Sequence, residues 1–128
     1  NGINMNTKNK QKKFWVVWGP IFNQSTGDLV VDEQTFSLVP NKIDTALVTL
    51  AIGKKAYSIQ TFQIDSIIGY ENNFMAYMSI LLNDGRKVKI SVGSRKKKLE
   101  IISALEKQRN AIYIAKGESI PELSSTIE

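Results

Sequence analysis

With 128 residues, 42% of them hydrophobic and 23% charged, the chain suits a single globular domain that buries roughly two thirds of its unfolded surface. It has no cysteine and no histidine, which excludes disulfides, thiolate metal sites and the imidazole most used as general base or metal ligand at neutral pH. The formal charge of +5 is unevenly spread: eleven of the seventeen cations lie in residues 1–13 and 86–98, stretches without an acid, and the other six face all twelve acids, a net of −6. Basic character is therefore local, and a local basic field steers anionic partners.

The lack of thiols fits a reducing compartment, and no apolar run reaches the roughly 20 residues that span a bilayer. The expected location is cytoplasmic, with peripheral contact to a membrane left open. Residues 1–13 are polar, lysine-rich and aperiodic, which predicts a disordered basic tail. Lys8 to Lys13 followed by Phe14-Trp-Val-Val-Trp18 looks like the start of a signal peptide, but Gly19-Pro20 interrupts the apolar run and no small-residue cleavage site follows. Met5 reads as a natural start, which leaves the origin of Asn1–Asn4 open.

Aromatic and β-branched residues predict a strand from Phe14 to Phe22, broken or bulged at Gly19-Pro20. Trp15 and Trp18 are three apart and so face opposite sides of it, one in the core and the other either an exposed anchor or covered by a loop. After a loop at Asn23–Gly27, Asp28–Asp32 and Thr35–Val39 read as short strands around a polar turn, with Phe36 and Leu38 on one face. Asp28, Asp32 and Glu33 are close in sequence but lack the ligand spacing and glycine of a calcium loop, so they read as capping and solvated groups. Ile43–Gly53 suits a buried strand or a short helix and is taken as a strand. From Tyr57 to Ile68 the apolar phase changes, which predicts a bulge near Thr61. Gly69–Asn73 reads as a turn before a long strand, Phe74–Leu82, apolar on both faces.

Asn83-Asp84-Gly85-Arg86 carries the Asp-Gly pair of two-residue hairpin loops, whose central positions take positive φ. Val88, Ile90 and Val92 then alternate with Lys87, Lys89 and Ser91. Ser94 is placed to cap a helix running from about Arg95 to Ile114. On a helical wheel Leu99, Ile101, Ile102, Leu105 and Ile112 fall within about 160°, with Glu100, Ser103, Lys107 and Asn110 opposite. Residues 117–128 read as a flexible tail and 14–116 as the folded domain, with no internal repeat.

Six to seven short antiparallel strands followed by one C-terminal amphipathic helix form a mainly β (α+β) pattern. The order resembles the pleckstrin-homology-like (PH-like) fold, a strongly bent sheet or barrel, and in particular GRAM-type and small bacterial PH-like domains. The resemblance rests on Gly27-Asp-Leu-Val-Val-Asp32, Thr35-Phe-Ser-Leu-Val-Pro40, Phe62-Gln-Ile-Asp-Ser-Ile67 and the hairpin Ile80 to Ile90, and it covers roughly residues 14–112. It departs at Asp32, where a threonine is commoner, and at Ile43–Gly53, which has no clear counterpart. What it implies is a non-enzymatic scaffold for a lipid head group, a peptide or a protein, without a cofactor; fold likeness does not select among these.

The candidate site is Arg86, Lys87, Lys89, Ser94, Arg95, Lys96, Lys97 and Lys98. Four cations in a first helical turn oppose the helix dipole, a broken local rule of the kind found at functional sites, while the bland alternative is a solvated, salt-screened surface. The expected partner is an anionic membrane surface or an acidic protein segment. Nucleic acid is disfavoured because aromatics do not interleave with the cations. A second reading is a structural homo-oligomer in which Phe14–Phe22 pairs between subunits. Serines such as Ser91 and Ser94 have no histidine base, and no phosphate-cradling glycine motif is present, so an enzyme is not expected.

Overall fold

The computed structural model describes residues 11–41 and 59–127. Within them lie β1 (Lys12–Trp18), β2 (Ser25–Val31), β3 (Thr35–Pro40), β4 (Gln60–Gln63), β5 (Ile67–Asn72), β6 (Tyr77–Leu82), β7 (Lys87–Ser91) and one helix, α1 (Arg95–Lys116). The strands form one antiparallel, unclosed sheet in the order β4-β3-β2-β1-β7-β6-β5. This is the mainly β architecture with a single C-terminal helix that the sequence predicts, and it is consistent with a PH-like fold. The predicted strand at Ile43–Gly53 lies outside the described residues.

Two meanders meet at β1. It pairs with β2 over seven residues but with β7 only at Val17↔Ser91. Being flanked by both, β1 has no open edge at Val17 to offer a second copy. Alternation sends Val16 and Trp18 inward and leaves Trp15 on the outer face, 60% exposed. The expected loop at Asn23–Gly27 is shorter than predicted, because β2 begins at Ser25 and Gly27 sits inside the ladder opposite Val16 and Pro40. β1 also starts at Lys12, two residues inside the stretch expected as tail.

Between Phe62 and Leu82 the predicted boundaries shift. The phase change assigned to a bulge near Thr61 is a 3-10 turn at Ile64–Ser66 that separates β4 from β5. Residues 67–72, expected mostly as a turn, form β5, with a register shift between Ile67 and Gly69. Phe74 and Met75, expected to begin a long strand, lie instead in the β5–β6 loop. The β6–β7 turn is also different from the two-residue form. Gly85 N donates to Leu82 O at 3.0 Å and Leu82 N to Arg86 O at 3.0 Å, and only Gly85 of the turn has positive φ, at 91°. This is a three-residue loop closed by a glycine bulge, and the Asp84 carboxylate stabilises it by accepting from Arg86 N at 3.0 Å and Nε at 2.7 Å.

The inner face of the sheet and one stripe of α1 enclose the core, which includes Leu29, Phe36, Ile64, Met78, Ile80, Ile90, Ile101 and Leu105. Burying each such side chain contributes about 1.5–3 kcal/mol. Ser94 Oγ accepts from Lys97 N at 3.2 Å to start the helix, and Gly117, in the left-handed region at φ 71°, ends it. The buried stripe is Lys98, Ile101, Ile102, Leu105 and Arg109. Both of its ends are charged.

The segment after Gly117, expected as a loose tail, is docked on the edge of β5. Ser124 N donates to Ile68 O at 2.7 Å and Tyr70 N to Ser125 O at 2.8 Å, while Ile127 is buried in the core. A Cβ at Gly69 would stand 2.6 Å from Ser124 Oγ, so glycine is what lets the tail approach. Arg109, 2% exposed, binds the parts together: Nε donates to Ile67 O at 3.2 Å, Nη2 to Pro121 O at 2.6 Å and Nη1 to Glu106 at 3.1 Å. Glu106 also accepts from the Tyr70 hydroxyl at 2.7 Å.

Burial, and then the hydrogen bond to the Glu106 carboxylate, hold the Tyr70 phenol far above its ordinary value of 10.0. A raised folded-state value contributes stability that is complete below about pH 10 and is lost as the pH rises above it, because the unfolded phenol ionises first. The stability lead of the wild type over Tyr70→Phe is expected to shrink as pH rises past 10. In an alkaline titration followed by phenolate absorbance, one tyrosine of the wild type should ionise only together with unfolding. Its ionisation in the folded protein near pH 10 would contradict the arrangement.

Candidate partner-binding surface

The structure divides the eight residues singled out in the sequence into three groups. Arg86, Lys87 and Lys89 belong to the β6–β7 hairpin, and the first two are paired with acids: Arg86 Nε lies 2.7 Å from Asp84 and Lys87 Nζ 3.3 Å from Glu71. Arg86 also stacks over Phe62, with its guanidinium carbon 5.4 Å from the ring centre. These two, with Lys89, line a shallow cleft of about 380 Å³ between β7 and β4. Exposed pairs of this kind are worth about 0–1 kcal/mol, so an anionic partner could displace them, but their charge is already balanced.

Ser94, Arg95, Lys96 and Lys97 form the second group, at the head of α1. Ser94 is the cap. Arg95, Lys96 and Lys97 are all exposed, and none of them pairs with a carboxylate among the described residues. Lys89 stands on the same outer face as Tyr77, its ammonium 5.4 Å from the ring centre.

Lys98 alone is the third group. The sequence places it with its three neighbours, yet it is 3% exposed and points inward. Its ammonium donates to Asn72 Oδ1 at 2.7 Å and to Met75 O at 2.8 Å, and desolvation lowers its pKa from the usual lysine value. It ties the first turn of the helix to the β5–β6 loop. The signal was legible in principle, because Lys98 and Arg109 fall on the same wheel stripe as Ile101, Ile102 and Leu105.

That loop carries features no charge map could show. Met75 has φ 58°, the only positive φ at a non-glycine among the described residues. A side chain in this region costs on the order of 1–2 kcal/mol. The surroundings impose it: besides the Lys98 bond, Asn73 N donates to Tyr77 O at 3.0 Å and Ser79 Oγ to Asn73 Oδ1 at 2.6 Å. The loop also meets the helix start directly, since Val92 N donates to Ala76 O at 2.9 Å.

A larger groove, about 580 Å³, opens elsewhere, between Lys12 and Phe14 of β1 and Ala104 and Ala111 of α1. Its rim mixes Glu33 and Glu100 with Lys107, so it presents no single sign of charge to an anion. No cluster of three or more acidic side chains able to hold a metal occurs among the described residues; Asp28 lies in β2, and Asp32 accepts from Gln11 at 2.9 Å. No helix among them is long and apolar enough to cross a membrane.

What the described residues define together is a mainly β arrangement with one helix, whose first turn carries cations without a carboxylate partner among those residues, beside an exposed loop. The chain matches no protein-family model and no curated protein sequence.

Proposed function

We propose that the chain is a non-enzymatic PH-like binding module whose exposed cations at the head of α1 engage an anionic surface, that of a membrane. The observation that carries this reading is the local imbalance: Arg95, Lys96 and Lys97 are exposed without a carboxylate partner among the described residues, while Glu71 and Asp84 are held by Lys87 and Arg86. Each such cation near an anionic bilayer contributes about 1 kcal/mol. Tyr113, the one aromatic of α1, is committed at the far end of the helix, where its hydroxyl donates to Asp65 O at 2.9 Å. It gives no stacking platform for nucleic-acid bases at the helix head.

Co-sedimentation with vesicles tests the reading. The wild type should pellet with phosphatidylcholine vesicles containing phosphatidylserine, less so as salt rises, and not with phosphatidylcholine alone. Arg95→Gln/Lys96→Gln/Lys97→Gln should weaken that binding by about 3 kcal/mol, roughly 100-fold. Its thermal stability should be unchanged or slightly raised, because three cations leave the positive end of a helix dipole. Pelleting that ignores phosphatidylserine would sink the membrane reading, and binding of an acidic peptide in its place would point to a protein partner.

A further inference from the structure

We infer that the β5–β6 loop is a membrane-inserting tip, with Phe74 and Met75 entering the interfacial region of an anionic bilayer while Arg95, Lys96 and Lys97 lie at the level of its phosphates. This rests on the reading above and adds what it lacks, the depth and orientation of docking. The first argument is exposure. Phe74 is 83% and Met75 77% exposed, adjacent in sequence and at the crest of a loop. Isolated apolar side chains on a surface are ordinary, but two neighbours held fully outward next to unpaired cations are the combination that buries well only where hydrocarbon and phosphate meet.

The second argument is that the loop is built to hold them there. A hydrophobic pair on a slack loop could fold back on the core; this one is fixed by the left-handed backbone at Met75, the Lys98 ammonium on Met75 O, the Val92–Ala76 bond and Asn73 bonded at both its backbone and its side chain. The same turn that gives the Met75 carbonyl to the buried Lys98 ammonium leaves the Met75 side chain outside the fold. The same contacts set the apolar tip against the cationic turn, so one approach to a bilayer satisfies both.

The third argument is the surrounding face. Gln24 Nε2 donates to the Tyr77 hydroxyl at 3.1 Å, which joins the β1–β2 loop, with Phe22 93% exposed, to the base of the β5–β6 loop. Trp15 shares the outer face of β1 with Val17, whose partner Ser91 pairs in turn with Tyr77. Tryptophan, tyrosine and lysine beside projecting apolar side chains match the order of chemistry met on entering a bilayer, in which amphipathic rings sit at head-group depth.

The chain has no cysteine, so Phe74→Cys or Met75→Cys gives a single attachment point for an environment-sensitive dye. Glu118→Cys, exposed beyond the far end of α1, serves as the control. With phosphatidylcholine–phosphatidylserine vesicles, dye at 74 or 75 should shift to shorter wavelength and be quenched by spin-labelled acyl chains, and dye at 118 should do neither. Phe74→Ser/Met75→Ser, which removes no buried side chain, should lower vesicle affinity on the order of tenfold or more and leave the salt dependence of the remaining binding intact. Salt-dependent pelleting with no dye shift at 74 or 75 would overturn insertion while leaving the binding reading standing. Absence of pelleting by the unlabelled wild type would overturn both. Equal dye shifts at 74 and 118 would also overturn the tip, since they would mean non-specific adsorption.

Discussion

Arg109→Ala is expected to lower the unfolding free energy by about 3–5 kcal/mol, a large part of what a domain of this size has. The arginine is 2% exposed and each of its three nitrogens donates to a different piece of the fold: the Ile67 carbonyl at the start of β5, the Pro121 carbonyl of the C-terminal segment and the Glu106 carboxylate on its own helix. Truncation takes a donor from two backbone oxygens and the cation from a Glu106 carboxylate that keeps only its bond from Tyr70, and removes the stem that fills the space between them. Urea denaturation measures the loss, and the double variant Arg109→Met/Glu106→Gln separates its causes. If the cost is mainly an orphaned charge, the double variant recovers part of it, because neither charge is then left alone. A midpoint for Arg109→Ala within about 1 kcal/mol of wild type would show that the network is not structural.

Gly27→Ala should be comparably severe, about 3 kcal/mol or more, for a steric reason. A Cβ at this position would lie 2.1 Å from the Val39 carbonyl oxygen, 2.9 Å from Pro40 Cα and 3.0 Å from Asn41 N. All three are backbone atoms of the neighbouring strand, so no side chain can rotate aside. Relief requires prising β3 from β2 where Gly27 faces Pro40 and Asn41 N donates to Thr26 O at 2.8 Å. Asp28→Ala, one residue on and only half-buried, should change stability by about 1 kcal/mol or less. Equal behaviour of the two variants in thermal unfolding would contradict this account.

Particular elements show where local pattern is enough. Val88 and Ile90 alternate with Lys87 and Lys89 and form β7 as expected, with the apolar pair inward. Ser94 caps α1, and Phe36 with Leu38 enters the core from β3. Trp15 and Trp18 take opposite faces as their spacing requires. These features depend on neighbours within a turn or a strand, and the periods of 2 and 3.6 express them directly. Where the reading went astray, a distant partner decided. Phe74 and Met75 look like the start of a buried strand because both are apolar, yet Lys98, more than twenty residues on, holds their loop outward. The segment after Gly117 has the composition of a tail, but it docks through backbone bonds to Ile68 and Tyr70 of β5, on either side of a Gly69 where a Cβ would crowd it at 3.0 Å from Ser125 O.

The candidate surface follows the same division. A run of seven cations between Arg86 and Lys98, with no acid among them, is written in the chain and needs no coordinates. Which of those charges remain available is a tertiary matter. Asp84 and Glu71 balance two of them through turn and ladder geometry, and a helix periodicity that carries every third or fourth residue inward removes Lys98. The sequence by itself therefore determined the strand-rich order, the single terminal helix and the local excess of positive charge, since each depends on residues near in sequence. Only the tertiary structure decided that three cations without a carboxylate partner among the described residues stand beside an outward apolar loop, because that juxtaposition is made by hydrogen bonds between segments that meet only in the fold.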